Sequence, residues 1–329
     1  MTGEVDPVRL TQPFIRLPWK FDAERLAAEM LAVRAGAWMP HPSGLAGNSA
    51  VALVSRGGAD NDDFAGAMEP TQHLEESAYH RQVLAHFDEV LARSRWMKLA
   101  PGHEVSLHVD FNHHWRHRVR MHIPLVTTPE VIFTCGPESV HMAAGECWLF
   151  DNWRRHQVVN AGPAERVHLV IDLAGSAAFW QGVRDAQQAQ AQGAPLGDRA
   201  VPFDPEVSRM PETERFNDLP VMVPGELDAL VEEVITDFSA QPRNDPRLVA
   251  GYRQQLLDFA RDWRALWHRH GLDPRGEAAY RAAMQELVSG LLPNPRALLM
   301  ASNGVGVNPV IRQRILAAVL MPELFQVGP

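Results

Sequence analysis

The sequence predicts an α+β protein with a β core over residues 94–173, an N-terminal α/β wrap and a C-terminal helical subdomain. Three observations predict it. Between 94 and 173, short β-branched and aromatic runs alternate with turn residues, the texture of a sandwich or barrel. Before residue 94, helical and strand-like patterns alternate. After 225, apolar residues recur with the helical period. A chain of 329 residues suggests two domains. It can bury a real core without help from a disulfide or metal. The expected division is 1–174 for the β domain, 175–224 for a linker, partly helical and then Pro-rich, and 225–329 for the helices.

The elements follow in order. Phe14, Ile15 and Leu17 read as a short strand within an otherwise irregular 1–20. Asp22 caps a helix over about 22–35, with Leu26, Met30 and Leu31 on one face. Residues 40–48 are loop and Ala50 to Ser55 a strand. Residues 56–72, rich in Gly and Asp, form a long loop of the kind that is often functional. Val83, Leu84, Phe87, Val90 and Leu91 have helical spacing and predict a helix over 73–93. Strands are then expected at 95–99, 104–110, 118–126, 130–135, 138–142, 146–150, 156–160 and 165–173. Pro101-Gly102, Gly136-Pro137, Gly145 and Gly162-Pro163 punctuate them. In the last third, Leu227, Leu230, Val231, Val234, Ile235 and Phe238 make one amphipathic stripe. Asp245-Pro246 is an N-cap followed by Pro at the first helical position, opening a helix to about 269. Two more helices follow near 276–291 and 309–320. Such stripes usually bury within their own chain; a homodimer contact is the minority reading.

Composition removes several function classes. Hydrophobic content of 46% and charged content of 22% are those of an ordinary globular chain. No apolar run approaches a membrane span. Residues 1–8 carry Glu4 and Asp6 and no basic, then apolar, leader, so a cytoplasmic protein is expected. A net charge of −9 opposes nucleic-acid binding. Cys135 and Cys147 read as buried apolar fillers. The sequence contains no G-x-S-x-G elbow, P-loop or G-x-G-x-x-G.

Nine of the 15 histidines fall between 103 and 168, which directs attention to the β core. There His108 and Asp110 form an H-x-D on an expected strand. Residues i and i+2 of a strand face the same side, so imidazole and carboxylate project together. His156, on a later strand, is the candidate third ligand. Two His and one carboxylate on one face of a metal leave three open positions, the arrangement of non-haem Fe(II) oxygenases. Those positions admit a bidentate 2-oxo acid and then O₂. Arg166, ten residues after His156, suits the far carboxylate of a 2-oxo diacid, because a guanidinium pairs with carboxylate in a bidentate fork. On 118–123, Arg118, Arg120 and His122 alternate with apolar residues. If that face looks into a barrel, its charges need partners, and a carboxylate ligand would supply them. His113, His114 and His117 lie in a loop without this geometry. Trp115 and Trp153 close over a substrate or pack in the core.

The stretches PGHEVSLHVDFN, RVRMHIPL and GECWLFDNWRRHQVVNAGPAERVHLVIDL resemble the aspartyl/asparaginyl β-hydroxylase family. The points of resemblance are Pro101-Gly102, His108, Arg120-Met121-His122, Phe150-Asp151, His156, Asn160 and Arg166, all within 94–173. The resemblance implies a double-stranded β-helix of the jelly-roll, cupin-like kind. It implies Fe(II) held by His108, Asp110 and His156, and 2-oxoglutarate with its distal carboxylate on Arg166 and its other end near His122. Arg118 and Arg120 would sit at the cosubstrate or substrate carboxylate. Keeping Asp110 is similar to the branch that hydroxylates free proline and related amino acids, and argues against halogenation.

The expected function is therefore hydroxylation of an aliphatic C–H of an amino acid, free or within a peptide, with O₂ consumed and succinate and CO₂ released. Substrate recognition is expected from Arg118, Arg120, Asn112 and Trp115, together with the 111–117 and 56–72 loops. Two other classes compete: a non-catalytic sensor of metal or 2-oxo acid, and a zinc hydrolase using the same triad.

Overall fold

The structure, a computed structural model, describes residues 10–33, 35–41, 44–194 and 196–325. Residues 1–8, read above for a leader, lie outside them, as do parts of the 40–48 loop. The described residues form two compact units, Met1–His108 with His117–Asn217, and Val109–Arg116 with Asp218–Pro329.

The first unit runs β1 (Phe14–Phe21), α1 (Ala23–Leu31), β2 (Met39–Pro40), β3 (Asn48–Arg56), β4 (Met68–Pro70), α2 (Gln72–Glu75) and α3 (Ala78–His86). Eight strands follow: β5 (Val90–Leu99), β6 (Glu104–His108), β7 (Val119–Val126), β8 (Val131–Cys135), β9 (Glu138–Val140), β10 (Glu146–Phe150), β11 (His156–Asn160) and β12 (Arg166–Leu173). Then come α4 (Ala177–Ala191), β13 (Arg199–Val201) and β14 (Glu212–Thr213). The eight strands alternate between two sheets, ordered β5-β12-β7-β10 within the large sheet and β6-β11-β8-β9 in the small one. Only the β8–β9 hairpin stays in one sheet. This strand order is a double-stranded β-helix, as expected.

Strand parity sorts the side chains. Val119, Met121, Ile123 and Leu125 of β7, with Val167, Leu169, Ile171 and Leu173 of β12, pack outward in one core with Leu26, Met30, Val83 and Leu84 from α1 and α3. The opposite faces look between the sheets. Phe14, Leu99, Phe133, Phe150 and Val158 form a second, smaller apolar cluster there. Asp22 caps α1 by accepting from the Arg25 backbone N–H at 3.0 Å.

Two expectations are corrected. The helix over 73–93 is instead two short helices, and Val90 and Leu91 open a strand. Asp88 takes a left-handed φ of 53° just after α3 and turns the chain, and Leu91 pairs with Leu173 and Thr213. Helical spacing alone could not report that sheet pairing would claim those two residues. The second correction concerns the linker. Residues 175–217 belong to the first unit: α4 buries Val183 and Ala186, β13 pairs with β1, and β14 pairs with β5.

The second unit holds α5 (Pro224–Ser239), α6 (Pro246–His270), α7 (Glu277–Gly290) and a helical run over 307–319. The stripe from Leu227 to Phe238 is buried as expected, and Asp245 caps α6 at the Arg247 N–H, 2.8 Å away. Trp263 packs against Tyr280 at a tilt, ring centroids 4.6 Å apart, and donates its indole N–H to the Met222 carbonyl. Residues 109–116 join this unit through Arg116, whose guanidinium bridges Glu226 (2.5 Å) and Glu233 (3.1 Å). Arg314 meets the other oxygen of Glu233 at 2.7 Å. Among the described residues, no helix is long and apolar enough to cross a membrane.

Candidate metal centre

His108 ends β6 and His156 opens β11, and the two face each other as a cross-strand pair. Their ring centroids lie 4.2 Å apart. Each ring is held in the same way: Nδ1 of His108 sits 2.7 Å from the Ser106 carbonyl, and Nδ1 of His156 sits 2.9 Å from the Arg154 carbonyl. A carbonyl only accepts, so each Nδ1 carries the proton and each Nε2 presents its lone pair. That is the tautomer a metal-binding imidazole needs, with the orienting partner in place. Asp110 follows His108 by two residues and supplies the carboxylate. His108, Asp110 and His156 offer ligand atoms that all lie within 4.8 Å of one another. The set of two nitrogens and one oxygen fits a divalent iron.

Behind the pair lies the inner face of the large sheet. Arg118, Arg120, His122, Arg166, His168 and Asp172 are all buried there. Arg166 Nη2 lies 2.8 Å from His168 Nδ1, and His168 Nδ1 lies 3.2 Å from His122 Nδ1. Burial, reinforced by the positive charge of Arg166, holds both imidazoles well below the ordinary histidine range, so both are neutral. Burial also lowers Arg166, to about 9.

Arg118 and Arg120, expected at a ligand carboxylate, each meet a carboxylate of the chain. Arg118 makes a bidentate fork to Glu214 at 2.8 Å on both arms. Arg120 does the same to Asp172 at 2.7 and 2.9 Å. The carboxylates that these cations require come from the chain itself. Arg166 differs. Among the described residues, seven arginines are buried: 93, 95, 116, 118, 120, 166 and 314. Six of them meet an Asp or Glu, and Arg166 meets none among the described residues. Its Nε is buried without a hydrogen-bond partner, as are Nε2 of His122 and Nε2 of His168. A cation and two imidazoles left this way in a low-dielectric interior are costly unless an anionic, hydrogen-bonding ligand completes them. A 2-oxo diacid has the matching groups.

Asn112 and Trp115, expected at the substrate, lie in the 109–116 segment of the second unit. Trp115 is buried, edge-on to His114, and packs rather than covering an open site. The Asn112 carbonyl accepts from Arg314 at 3.5 Å. Asp151 fixes the turn before β11, accepting from the Trp153 N–H and from Arg154. His168 and Asp172 join this face although the sequence pattern assigns neither a role in the site. The parity of Arg166, His168 and Asp172 on one strand face was the available signal.

The buried neutral histidines have a consequence for stability. His80, His122 and His168 are fully enclosed and have lowered pKa values. Below the unfolded value of about 6.5 the unfolded chain takes up protons that the folded chain does not, so stability falls as pH falls. The loss is steepest just below the unfolded value, and His122 and His168, held furthest down, contribute over the widest range of pH. Urea denaturation across pH 5–8 measures this; a flat profile from 7 to 5 contradicts it.

Residues 50–175 match the family model described as Aspartyl/Asparaginyl beta-hydroxylase. The match takes in all eight strands of the β-helix and bears out the resemblance read from the sequence. No curated protein matches the chain. Among solved structures, a 2OG-Fe(II) oxygenase family oxidoreductase from Burkholderia pseudomallei is 14% identical, covering 45% of this chain and 76% of its own, with a TM-score of 0.34. A Pseudomonas putida prolyl-4-hydroxylase is 16% identical, covering 50% and 92%, with a TM-score of 0.33. A predicted oxalate decarboxylase from Thermotoga maritima is 18% identical, covering 43% and 97%, with a TM-score of 0.26.

Proposed function

We propose, from the match of residues 50–175 to the aspartyl/asparaginyl β-hydroxylase family, that this protein is an Fe(II)- and 2-oxoglutarate-dependent oxygenase. Its substrate in this reading is an amino acid, free or within a peptide, hydroxylated at an aliphatic carbon. The observation that carries the reading is Arg166. It is a buried cation that meets no carboxylate among the described residues, in the barrel whose small sheet pairs His108 with His156.

Bound iron with 2-oxoglutarate supplies the activation of O₂ that hydroxylation requires, releasing succinate and CO₂. The chain's residues do the rest. His108 and His156 present Nε2, and Asp110 adds a negative charge that offsets the metal's. Arg166 receives the distal carboxylate of 2-oxoglutarate in its planar fork. His168, neutral, accepts from Arg166 at Nδ1 and so offers a hydrogen bond from Nε2; His122, also neutral, donates to His168 from Nδ1 and leaves Nε2 as an acceptor, so neither adds a competing charge. Phe133, Phe150 and Val158, buried in one apolar cluster, lower the local dielectric, which strengthens each of these interactions.

The test is succinate formation by the full chain supplied with Fe(II), 2-oxoglutarate and O₂, across a panel of amino acids and peptides. Turnover that requires all three, with product heavier by one oxygen, is the expected result. Binding of 2-oxoglutarate with no turnover across the panel points instead to a sensor. EDTA-sensitive turnover without O₂ points to a zinc hydrolase.

A further inference from the structure

The large sheet carries a second cluster of buried charge. Arg93 and Arg95 on β5 are 2% and 5% exposed. Arg95 lies opposite Val170 on β12, and Val170 lies opposite His122 on β7. Facing residues of neighbouring strands share a side, so the inner row that holds His122 continues to Arg95.

The counter-charge of this pair has two sources. Asp172 lies 3.4 Å from Arg93 and is already engaged by the fork of Arg120. The other source is Asp62, in the loop between β3 and β4. A single oxygen, Oδ1, serves both Nη1 of Arg93, at 3.2 Å, and Nη1 of Arg95. Arg93 also donates to the Asp62 carbonyl at 2.9 Å and lies over the Phe64 ring at 3.6 Å. Nε of Arg93 is buried without a partner. Arg118 and Arg120 each hold a carboxylate in a full fork; Arg93 and Arg95 share one oxygen of a side chain that is 28% exposed. Two buried guanidiniums are incompletely satisfied by such a partner.

The loop is built to present that carboxylate. It departs through Gly57 and Gly58 and returns through Gly66, all at positive φ, where glycine is freely tolerated. Its base is tied by Asn61 to the Arg56 carbonyl and by Gly66 to Asn217. The Asp62 carboxylate has no hydrogen-bond partner among the described residues other than these two arginines. A small cavity of about 40 Å³ adjoins it, lined by His41, Asp60, Asn61, Asp62 and Arg95.

We propose that Arg93 and Arg95 form a subsite for a substrate carboxylate, and that Asp62 is the chain's own stand-in, displaced when that carboxylate binds. This deepens the oxygenase reading and rests on it for the identity of the ligand as substrate. The substrate class is an amino acid presenting a carboxylate, either the α-carboxylate of the free molecule or an acidic side chain within a peptide.

The test is calorimetric titration of the full chain at pH 7, without iron or 2-oxoglutarate. The probes are free amino acids, their carboxamides, and N-acetylated amides of aspartate and glutamate. At least one free acid, or an acetylated acidic amide, is expected to bind at least about tenfold more tightly than its uncharged counterpart; which of the two does so identifies the source. Asp62→Asn removes the internal competitor and is expected to tighten that ligand about tenfold, since the competent fraction of the site rises. Arg95→Gln is expected to abolish its binding. In the unmodified chain, amide hydrogen exchange over 57–67 is expected to quicken on binding, the opposite of simple ligand protection. Equal binding of acid and amide, unchanged affinity in Asp62→Asn, or no acid binding in that variant overturns the proposal. Should Asp62→Asn not fold, slowed or unchanged exchange in the unmodified chain overturns it. Because no iron or 2-oxoglutarate is present, failure here leaves the succinate assay standing, and failure of that assay does not alter this one.

Discussion

His156→Ala is expected to bring iron-dependent succinate formation below about one thousandth of the unmodified protein, more than the 10–100-fold lost when only a partner of a metal ligand is changed. His108→Ala is expected to do the same. Each ring is fixed by its own Nδ1 hydrogen bond to a carbonyl two residues back, and the pair is set by β6–β11 registry. Removing either ring leaves two donors, too few to hold a divalent ion in place. Both histidines sit at strand ends, so the fold is expected to persist, with an unchanged far-ultraviolet circular dichroism spectrum. Metal content after dialysis and succinate yield are the measurements. Turnover like the unmodified protein's in either variant would sink the metal assignment.

The second large effect is Arg166→Met. The KM for 2-oxoglutarate is expected to rise about a hundredfold or more, from loss of a buried bidentate charge pair worth several kcal/mol. Stability without ligand is expected to move the other way. Arg166 is a buried cation that meets no carboxylate among the described residues, so an apolar side chain of similar length removes a desolvation cost. The denaturation midpoint of the ligand-free variant should be unchanged or higher. A drop of several kcal/mol would make Arg166 a structural residue, and an unchanged KM would remove it from the cosubstrate site. Arg120 provides the contrast: it has Asp172, and its loss would leave that carboxylate buried beside Arg93.

Much of this site was legible in the chain. Seven of the eight β-helix strands fall close to the expected spans, because each is a short run of alternating residues bounded by Gly or Pro. The exception is β5, whose first residues carry apolar spacing that also suits a helix. The pairing of His108 with Asp110 follows from strand parity, and His156 and Arg166 from their spacing within one β core. The partners of the buried arginines were not legible. Glu214 lies 96 residues from Arg118, and Asp172 lies 52 from Arg120. Arg93 and Arg95 show the alternation of a strand face, yet nothing local says that Asp62, some 30 residues earlier, will meet them.

The sequence by itself determined the run of β-core strands, the helical stripes of the last third and the identity of the candidate ligands, and these rest on local rules: side-chain alternation, turn residues, caps and short spacing. The double-stranded β-helix arrangement of those strands was implied by the family resemblance, not by the local rules. Only the tertiary structure decided which cations meet a carboxylate within the chain and which does not, among the described residues. Arg118, Arg120 and Arg166 are alike in sequence, three arginines on alternating strands. Long-range contacts deliver a carboxylate to the first two and, among the described residues, none to the third. In a low-dielectric interior, that difference separates a satisfied ion pair from a cation that still needs an anion.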